Sequence, residues 1–287
     1  MVEGGVAEGD MAEDEWVVGL PAPSLRAFVR SYVGYRTVGQ APRLHRGLPS
    51  RFLTMIVSIG PPIEVAAHTD RAQPPARYRA VLSGLQASPA LIADPGHGAG
   101  VAIELSPLGL RNLLGMPAAA LWNTSYELAD IAGPLGDELW QRAQGATWPE
   151  VFAACDDVLE RLAAPDRAAP PELAHAWRLL ARSGGAAPIG SLAADVGWTR
   201  QHLAARFRRE LGLSPKLAAR VIRFERARRM LRAVPAHVTI AQVAASCGYY
   251  DQAHLNRDFA AFAGASPSRW AADERLPSFQ DRLPEDL

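Results

Sequence analysis

One segment of the sequence is written twice, which limits the possible folds more than any other feature. "GWTRQHLAARFRRELGLSP" (197–215) returns as "GYYDQAHLNRDFAAFAGASP" (248–267). Up to these glycines the copies align at an offset of 51 residues, and one inserted residue after the second glycine makes the offset 52. Matches on both sides of a single insertion indicate a duplicated structural unit.

Each copy predicts a helix-turn-helix unit. A short helix rich in alanine ends at Gly197 or Gly248, a residue type that adopts the left-handed conformation of a tight turn. Thr199 and Asp251 are good N-caps for the helix that follows. Leucine and phenylalanine recur on one face of that second helix, which predicts that this face is buried. Two helices joined by a glycine turn form such a unit.

The opposite face of each second helix carries side chains suited to DNA. Arginine, glutamine and asparagine pair with base edges in the major groove, where a helix-turn-helix places its second helix. The predicted base-reading residues are Arg200, Gln201, Ala204 and Ala205 in the first copy and Gln252, His254, Asn256 and Arg257 in the second. The predicted phosphate contacts are Thr199, Arg206, Arg208 and Arg229. An ordinary solvated helix face is the alternative interpretation.

A long helix is predicted between the copies. Ser214 caps it, Pro215 starts it and Pro235 marks its end. About 18 residues span roughly 27 Å, enough to hold two recognition helices toward successive major grooves. Its arginines predicted to be free for phosphates are Arg220, Arg228, Arg229 and Arg232, whereas Arg223 and Arg226 fit ion-pair partners equally well.

The charge is distributed unevenly. Residues 1–166 hold 12 basic and 19 acidic residues, and residues 167–275 hold 17 basic and 8 acidic residues. The basic half is therefore a candidate for binding a polyanion.

Residues 173–272 resemble the DNA-binding domain of the AraC family of bacterial transcription regulators. The resemblance rests on "IGSLAADVGWTRQHLAARFRRELGLSPKLAARVIRFERARRML" followed by "TIAQVAASCGYYDQAHLNRDFAAFAGASPSRW". It implies about seven helices, and an activator or repressor that binds double-stranded promoter DNA and contacts RNA polymerase. Family members often have polar or basic residues where this chain has Ala204 and Ala205, so the second unit is predicted to read more sequence.

The N-terminal half has a different pattern of apolar residues. Apolar residues at 25–35 have helical spacing, short apolar runs at about 50–107 predict a small β-sheet or barrel, and 108–116, 135–144 and 149–164 predict helices. The fold class is therefore α+β, with an all-α C-terminal domain. The predicted divisions are a flexible acidic tail at 1–19, a sensor or dimerisation domain at 20–165, a linker at 166–172, the DNA-binding domain at 173–275 and a tail at 276–287.

The sequence predicts neither an enzyme nor a cofactor. Nucleophile-elbow, P-loop and dinucleotide fingerprints are absent, and the histidines of the first half, His45, His68 and His97, are too scattered for a metal triad. Without a leader or a long apolar run, the protein is predicted to be cytoplasmic and to bind no membrane.

Two residues near predicted strands are ambiguous, and so is the role of the first half. Glu104 and Arg51 face a cavity or form ion pairs. The favoured interpretation is a regulator whose first half senses a small effector or forms a homodimer. The alternative is a protein-interaction module tethered to DNA by the basic half, and an enzyme fused to that half is a distant third.

Overall fold

The computed structural model describes residues 14–164, 167–233 and 238–273. Its strands are β1 Glu15–Gly19, β2 Val29–Thr37, β3 Arg43–Gly47, β4 Leu53–Ser58, β5 Ile63–Ala67, β6 Ala76–Tyr78, β7 Ala80–Ser83, β8 Ala90–Asp94, β9 Gly98–Leu105 and β10 Ser125–Glu127. Its α-helices are α1 Gly109–Leu114, α2 Leu128–Ala132, α3 Pro134–Ala143, α4 Trp148–Leu162, α5 Pro171–Arg182, α6 Ile189–Asp195, α7 Arg200–Leu211, α8 Pro215–Ala233, α9 Ile240–Ser246, α10 Gln252–Ala263 and α11 Pro267–Asp273. Short 3-10 helices lie at Pro23–Leu25 and Ala118–Leu121.

The strands form two antiparallel sheets. The six-stranded sheet has the order β1-β2-β9-β4-β7-β10, and the four-stranded sheet has the order β3-β8-β5-β6. Strand β4 shows how the layers stack: Leu53, Met55 and Val57 join a buried apolar cluster with residues of α3 and α4, whereas Thr54 and Ile56 face a cavity between the sheets. The predicted α+β class is confirmed, with helices on one side of the larger sheet and the smaller sheet on the other.

Two predictions for the N-terminal region are wrong. The predicted tail 1–19 contains β1, because Trp16 to Val18 supply apolar side chains and pair with Tyr35 to Val33 of β2. The segment 25–35 forms most of β2 and not a helix, because Tyr32 and Val33 are buried on opposite faces between β1 and β9. Sheet pairing overrides the weak helical spacing there. Residues 1–13 of the predicted tail and all of 276–287 lie outside the described residues.

The predicted linker 166–172 is shorter than expected. Pro171 occupies the first turn of α5, where its missing N–H is harmless and its fixed φ suits a helix. Residue 166 lies outside the described part of the chain. The helix-turn-helix pairs α6–α7 and α9–α10 and the long helix α8 form where the sequence predicted them. Pro235, the predicted end of α8, also lies outside the described residues.

Helix α8 belongs to two apolar cores. Its residues Ala218, Ala219 and Ile222 pack with the first unit, and that core is continuous with the core of the N-terminal half. Val221 and Phe224 pack with the second unit. Helix α8 is therefore buried on two faces and fixes both units.

Candidate nucleic-acid interface

Helix α7 is held by the caps and the buried face that the sequence predicted. The Thr199 hydroxyl accepts a hydrogen bond from the backbone N–H of His202 at 3.1 Å. Gly197, with φ +70°, makes the turn before it. Leu203 and Phe207 are fully buried. These contacts fix which face of the helix remains exposed.

Helix α10 repeats this construction. The carboxylate of Asp251 accepts a hydrogen bond from the backbone N–H of His254 at 2.6 Å, and Gly248 has φ +74°. Leu255 and Phe259 are fully buried. The buried carboxylate of Asp258 also accepts hydrogen bonds from the Nη2 and Nε of Arg220 at 2.8 and 3.0 Å, which join α10 to α8. The second unit therefore has an ion-paired anchor at this position.

The predicted residues of the first unit are mostly accessible. Arg200, Gln201, Ala205 and Arg208 are exposed, as is the cap Thr199, and Ala204 and Arg206 are half-buried. Arg206 lies over the Trp198 ring at 5.9 Å and donates to His202 at 3.4 Å. Arg200 packs across α6, since a β-carbon placed on Gly190 would lie 2.6 Å from its Nη2. Gln201, Ala205 and Arg208 are thus the most freely presented members of the set.

The predicted residues of the second unit are presented unequally. Gln252 and Arg257 are exposed, and His254 and Asn256 are half-buried. The His254 ring packs edge-on against buried Tyr249, with centroids 5.1 Å apart. The Oδ1 atom of Asn256 has no hydrogen-bond partner among the described residues. Gln252 and Arg257 are therefore the accessible members of this set, whereas the Asn256 Oδ1 is shielded from solvent.

The prediction that most arginines of α8 are free for phosphates is wrong. Arg220 is paired with Asp258, Arg228 is only 2% exposed, and Arg232 lies over the Trp270 ring at 5.0 Å. Arg223, the suggested structural residue, donates to the backbone carbonyl of Gly185 at 2.9 Å. Because α8 is buried on two faces, Arg220, Arg223, Arg228 and Arg232 make contacts within the protein.

Arg229, a predicted phosphate contact, is half-buried. Its Nε and Nη1 are shielded from solvent, so neither atom can reach a phosphate in this conformation. Arg226, the other suggested ion-pair residue, is exposed.

The sequence analysis did not identify one highly exposed residue next to α10, Tyr250. Tyr250 is 94% exposed and directly precedes the Asp251 cap of α10. Two residues, Tyr249 and Tyr250, separate Gly248 from Asp251, one more than in the matching turn of the first copy. The change of offset from 51 to 52 was the signal that could have identified it.

A cavity of about 280 Å³ lies between the two sheets of the N-terminal half. Trp16, Ile56 and Val81 contribute apolar surface, and Thr54 and Ser83 contribute hydroxyl groups. His45 and His97 also line it. His68 is buried beside the Tyr78 hydroxyl, 3.3 Å from its Nε2, and burial lowers the pKa of this histidine.

The two ambiguous residues form ion pairs. Glu104 pairs with Arg30 at 2.9 Å, and Arg51 lies 3.6 Å from Glu225. In the described ranges no cluster of three histidine, cysteine or acidic side chains could hold a metal ion. No helix of the described chain is both long and apolar enough to cross a membrane.

Two family models match different parts of the chain. Residues 192–273 match the model of a helix-turn-helix domain, and residues 18–127 match a domain of unknown function (DUF6597). The HTH-type transcriptional regulator Rv1931c of Mycobacterium tuberculosis is 35% identical over 89 residues, which are 31% of this chain and 34% of that protein. The chain thus spans about a third of the curated relative that it matches.

Several solved structures are similar to the chain. ToxT from Vibrio cholerae is 14% identical, with 83% of this chain and 96% of that chain covered and a TM-score of 0.49. An AraC-type regulator from Chromobacterium violaceum is 24% identical, with 38% and 96% covered and a TM-score of 0.34. The DNA-binding domain of AdpA, solved with a target DNA, is 22% identical, with 37% and 98% covered and a TM-score of 0.33.

Proposed function

We propose that this chain, whose residues 192–273 form an AraC-type helix-turn-helix domain, is a sequence-specific DNA-binding transcription regulator. One observation carries the proposal: two helices built on the same caps and buried faces, α7 and α10, both leave arginine and glutamine exposed. A solvated face does not require two copies of one scaffold. Two units that read successive major grooves do require them.

The second unit is proposed to read more sequence. Gln252 and Arg257 are exposed, and a glutamine or arginine that bonds a base edge with two atoms discriminates by about 1–3 kcal/mol. In the first unit Gln201 is the main candidate for base reading, since Ala204 and Ala205 offer methyl groups that contact only a thymine methyl. Arg208 suits a phosphate contact, because it is an exposed basic residue that follows Ala204 and Ala205 along α7.

Tyr250 is proposed as an additional contact of the second unit. An exposed aromatic residue at the start of a recognition helix places a hydroxyl donor where the DNA backbone passes. Tyr250→Phe should then weaken binding less than Tyr250→Ala if the ring matters, and equally if only the hydroxyl does. Unchanged affinity in both variants would remove Tyr250 from the interface.

Selection from a random pool of duplex oligonucleotides tests the proposed function. The full chain should enrich a motif with two conserved segments about 10 base pairs apart, measured between their centres. A matched control is the doubly substituted Gln252→Ala, Arg257→Ala protein, which keeps the scaffold and should lose one segment. Binding without an enriched motif, falling steeply with salt, would favour an interaction module tethered to DNA.

The N-terminal half is proposed to bind a small effector in the cavity between the sheets. A volume of about 280 Å³ lies near the lower end of known ligand pockets, roughly 300–1,000 Å³. Its wall is mainly aromatic and aliphatic and also carries hydroxyls and the imidazoles of His45 and His97, which suits a compact, largely apolar molecule with a polar group. A thermal-shift screen of the full chain against metabolites should find stabilising compounds of this kind, and Thr54→Phe should abolish their effect.

Homodimerisation, contact with RNA polymerase, activation or repression as the output, and a cytoplasmic location belong to the same proposal. Sedimentation of the full chain with and without its selected DNA tests the dimer. In vitro transcription from a promoter carrying the selected motif tests the polymerase contact and separates activation from repression.

A further inference from the structure

Strand β3 turns alternate side chains to the cavity and to the outer face of the smaller sheet. Arg43, His45 and Gly47 line the cavity, so Leu44 and Arg46 point away from it. Leu44 is 59% exposed, more than any other large aliphatic side chain in the described ranges. The outside of this strand therefore presents the most accessible leucine of the described chain.

A second leucine enlarges this apolar surface. Leu91 of β8 pairs with Arg46 in the register of the sheet, which places Leu91 diagonal to Leu44 on the same face. Leu91 is half-buried. We call Leu44 and Leu91 the β3 patch.

The β3 patch lies at the edge of its sheet. Among the described strands β3 has one neighbour, β8, so its other side is open. Natural proteins cover such edges with another segment, because an exposed apolar edge invites pairing with other chains. A covering segment is therefore expected here.

Helix α11 carries the chain to this patch. Trp270 of α11 is fully buried in the apolar cluster that also contains Leu48, the residue directly after β3. Asp273, the last residue of α11, has its Oδ2 3.3 Å from Nη2 of Arg46. Because Arg46 points outward from β3, the end of α11 lies beside the outer face of the smaller sheet.

Residues 274–287 follow Asp273, and their sequence has a repeat suited to an apolar surface. "ERLPSFQ" (274–280) is followed by "DRLPEDL" (281–287), so an acid-Arg-Leu-Pro segment returns after seven residues. Proline cannot continue a helix and disfavours the helical conformation in the residue before it. Leu276, which precedes Pro277, is the first large apolar residue after α11.

The reach of this segment matches the position of the patch. Leu44 is two residues from Arg46 along β3, a distance of about 7 Å. Leu276 follows Asp273 by three residues, and an extended chain of that length spans up to about 10 Å. Since Asp273 is held at Arg46, Leu276 can contact Leu44.

We propose that the β3 patch is the docking surface for the segment 274–280 of the same chain, with Leu276 covering Leu44. The docked segment ties the second helix-turn-helix unit to the N-terminal half through the outside of the smaller sheet. The proposal requires neither DNA nor a ligand in the cavity. A second copy of the chain is the competing occupant of the patch.

Hydrogen exchange in the full chain tests whether Leu276 protects β3. In Leu276→Ser the backbone amides of β3 should exchange about 3- to 10-fold faster, the effect expected when about half of a leucine side chain returns to water. Leu283→Ser is the matched control, because Leu283 has the same arginine and proline neighbours and should leave β3 unchanged. In a Leu44→Ser background Leu276→Ser should have no further effect, because the contact is already lost.

Disulfide trapping in the full chain identifies the occupant. The Leu44→Cys, Leu276→Cys protein is treated with oxidised glutathione, and its products are identified by non-reducing electrophoresis and peptide mass spectrometry. The native cysteines, Cys155 and Cys247, are at most 1% exposed. The matched control is Leu44→Cys, Arg275→Cys, which places the second thiol one residue nearer to α11.

The rates distinguish a docked segment from a free tether. A docked segment should form the disulfide within one chain at least about 10-fold faster with Leu276→Cys than with Arg275→Cys, since neighbouring residues of an extended segment face opposite ways. A free tether gives rates within about 2-fold of each other, because effective concentration changes little with one residue of length.

Three results would overturn the proposal. The first is similar trapping rates in the two proteins. The second is β3 exchange that is unchanged in Leu276→Ser. The third is a disulfide that forms between two chains and increases with protein concentration, which would assign the β3 patch to a second copy.

Discussion

Removal of the Arg220 side chain should destabilise the contact between the second helix-turn-helix unit and α8. Asp258 is 2% exposed and Arg220 is 33% exposed at its side chain, and the guanidinium donates two hydrogen bonds to this carboxylate. In Arg220→Ala the carboxylate stays buried without its cation, which costs about 3–5 kcal/mol. The lost contact of the guanidinium with the Phe262 ring, 5.0 Å away, adds about 0.5–1 kcal/mol.

We expect a loss near the lower end of that range, about 3 kcal/mol, because Arg220 is partly solvated. Urea denaturation followed by circular dichroism measures the loss, and hydrogen exchange of α10 locates it. Arg226→Ala is the matched control on the same helix, since Arg226 is exposed and its removal should cost less than about 0.5 kcal/mol. Equal losses in the two variants, or a loss below about 1 kcal/mol in Arg220→Ala, would refute the reasoning.

Three further perturbations address the interface, the domain contact and the buried histidine. Asn256→Ala or Arg257→Ala should relax specificity at defined base pairs by about 1–3 kcal/mol, whereas Arg208→Ala should weaken binding to all sequences alike. Competition binding measures both effects. A larger loss of specificity from Gln201→Ala would reverse the ranking of the two units. Gly212→Ala should lower the melting temperature more than Gly197→Ala, because both glycines have positive φ but only Gly212 would bring its new β-carbon against Trp122; equal shifts would exclude the Trp122 contact. Burial lowers the pKa of His68 below 6.5, so as the pH falls the unfolded chain binds a proton at this histidine before the folded chain does. The free energy of unfolding should therefore decrease as the pH drops below about 6.5. His68→Gln should reduce this dependence of stability on pH, and an unchanged dependence would contradict the prediction.

The caps, turns and buried faces of the two helix-turn-helix units could be predicted from the sequence. Thr199 and Asp251 cap their helices through their own side chains, and Gly197 and Gly248 supply the positive φ of the turns. Such signals depend on a few neighbouring residues, so no knowledge of the rest of the chain is needed. The exposed face of α7 and α10 follows directly once the buried leucine and phenylalanine are known.

The errors concern residues whose environment is set by distant partners. In the sequence Arg220 and Arg228 resemble surface arginines. Only the packing of the folded chain places Asp258 against Arg220 and Glu104 of the N-terminal half near Arg228. The segment 25–35 has helical spacing, yet neighbours at 15–19 and 98–105 make it a central strand. The domain contact through Arg51 and Glu225 joins positions 174 residues apart, beyond any periodicity.

Methylation interference on the selected site tests the central claim most directly. Methyl groups at guanine N7 in the major groove and adenine N3 in the minor groove are scored for their effect on binding by the full chain. If both units read bases, methylation should interfere at guanines in two major-groove segments about 10 base pairs apart on one face of the duplex. Interference should be stronger in the segment contacted by the second unit, which is the segment whose interference disappears in Arg257→Ala. Affinity that is insensitive to guanine methylation while remaining strongly salt-dependent would contradict base reading and leave only a basic tether.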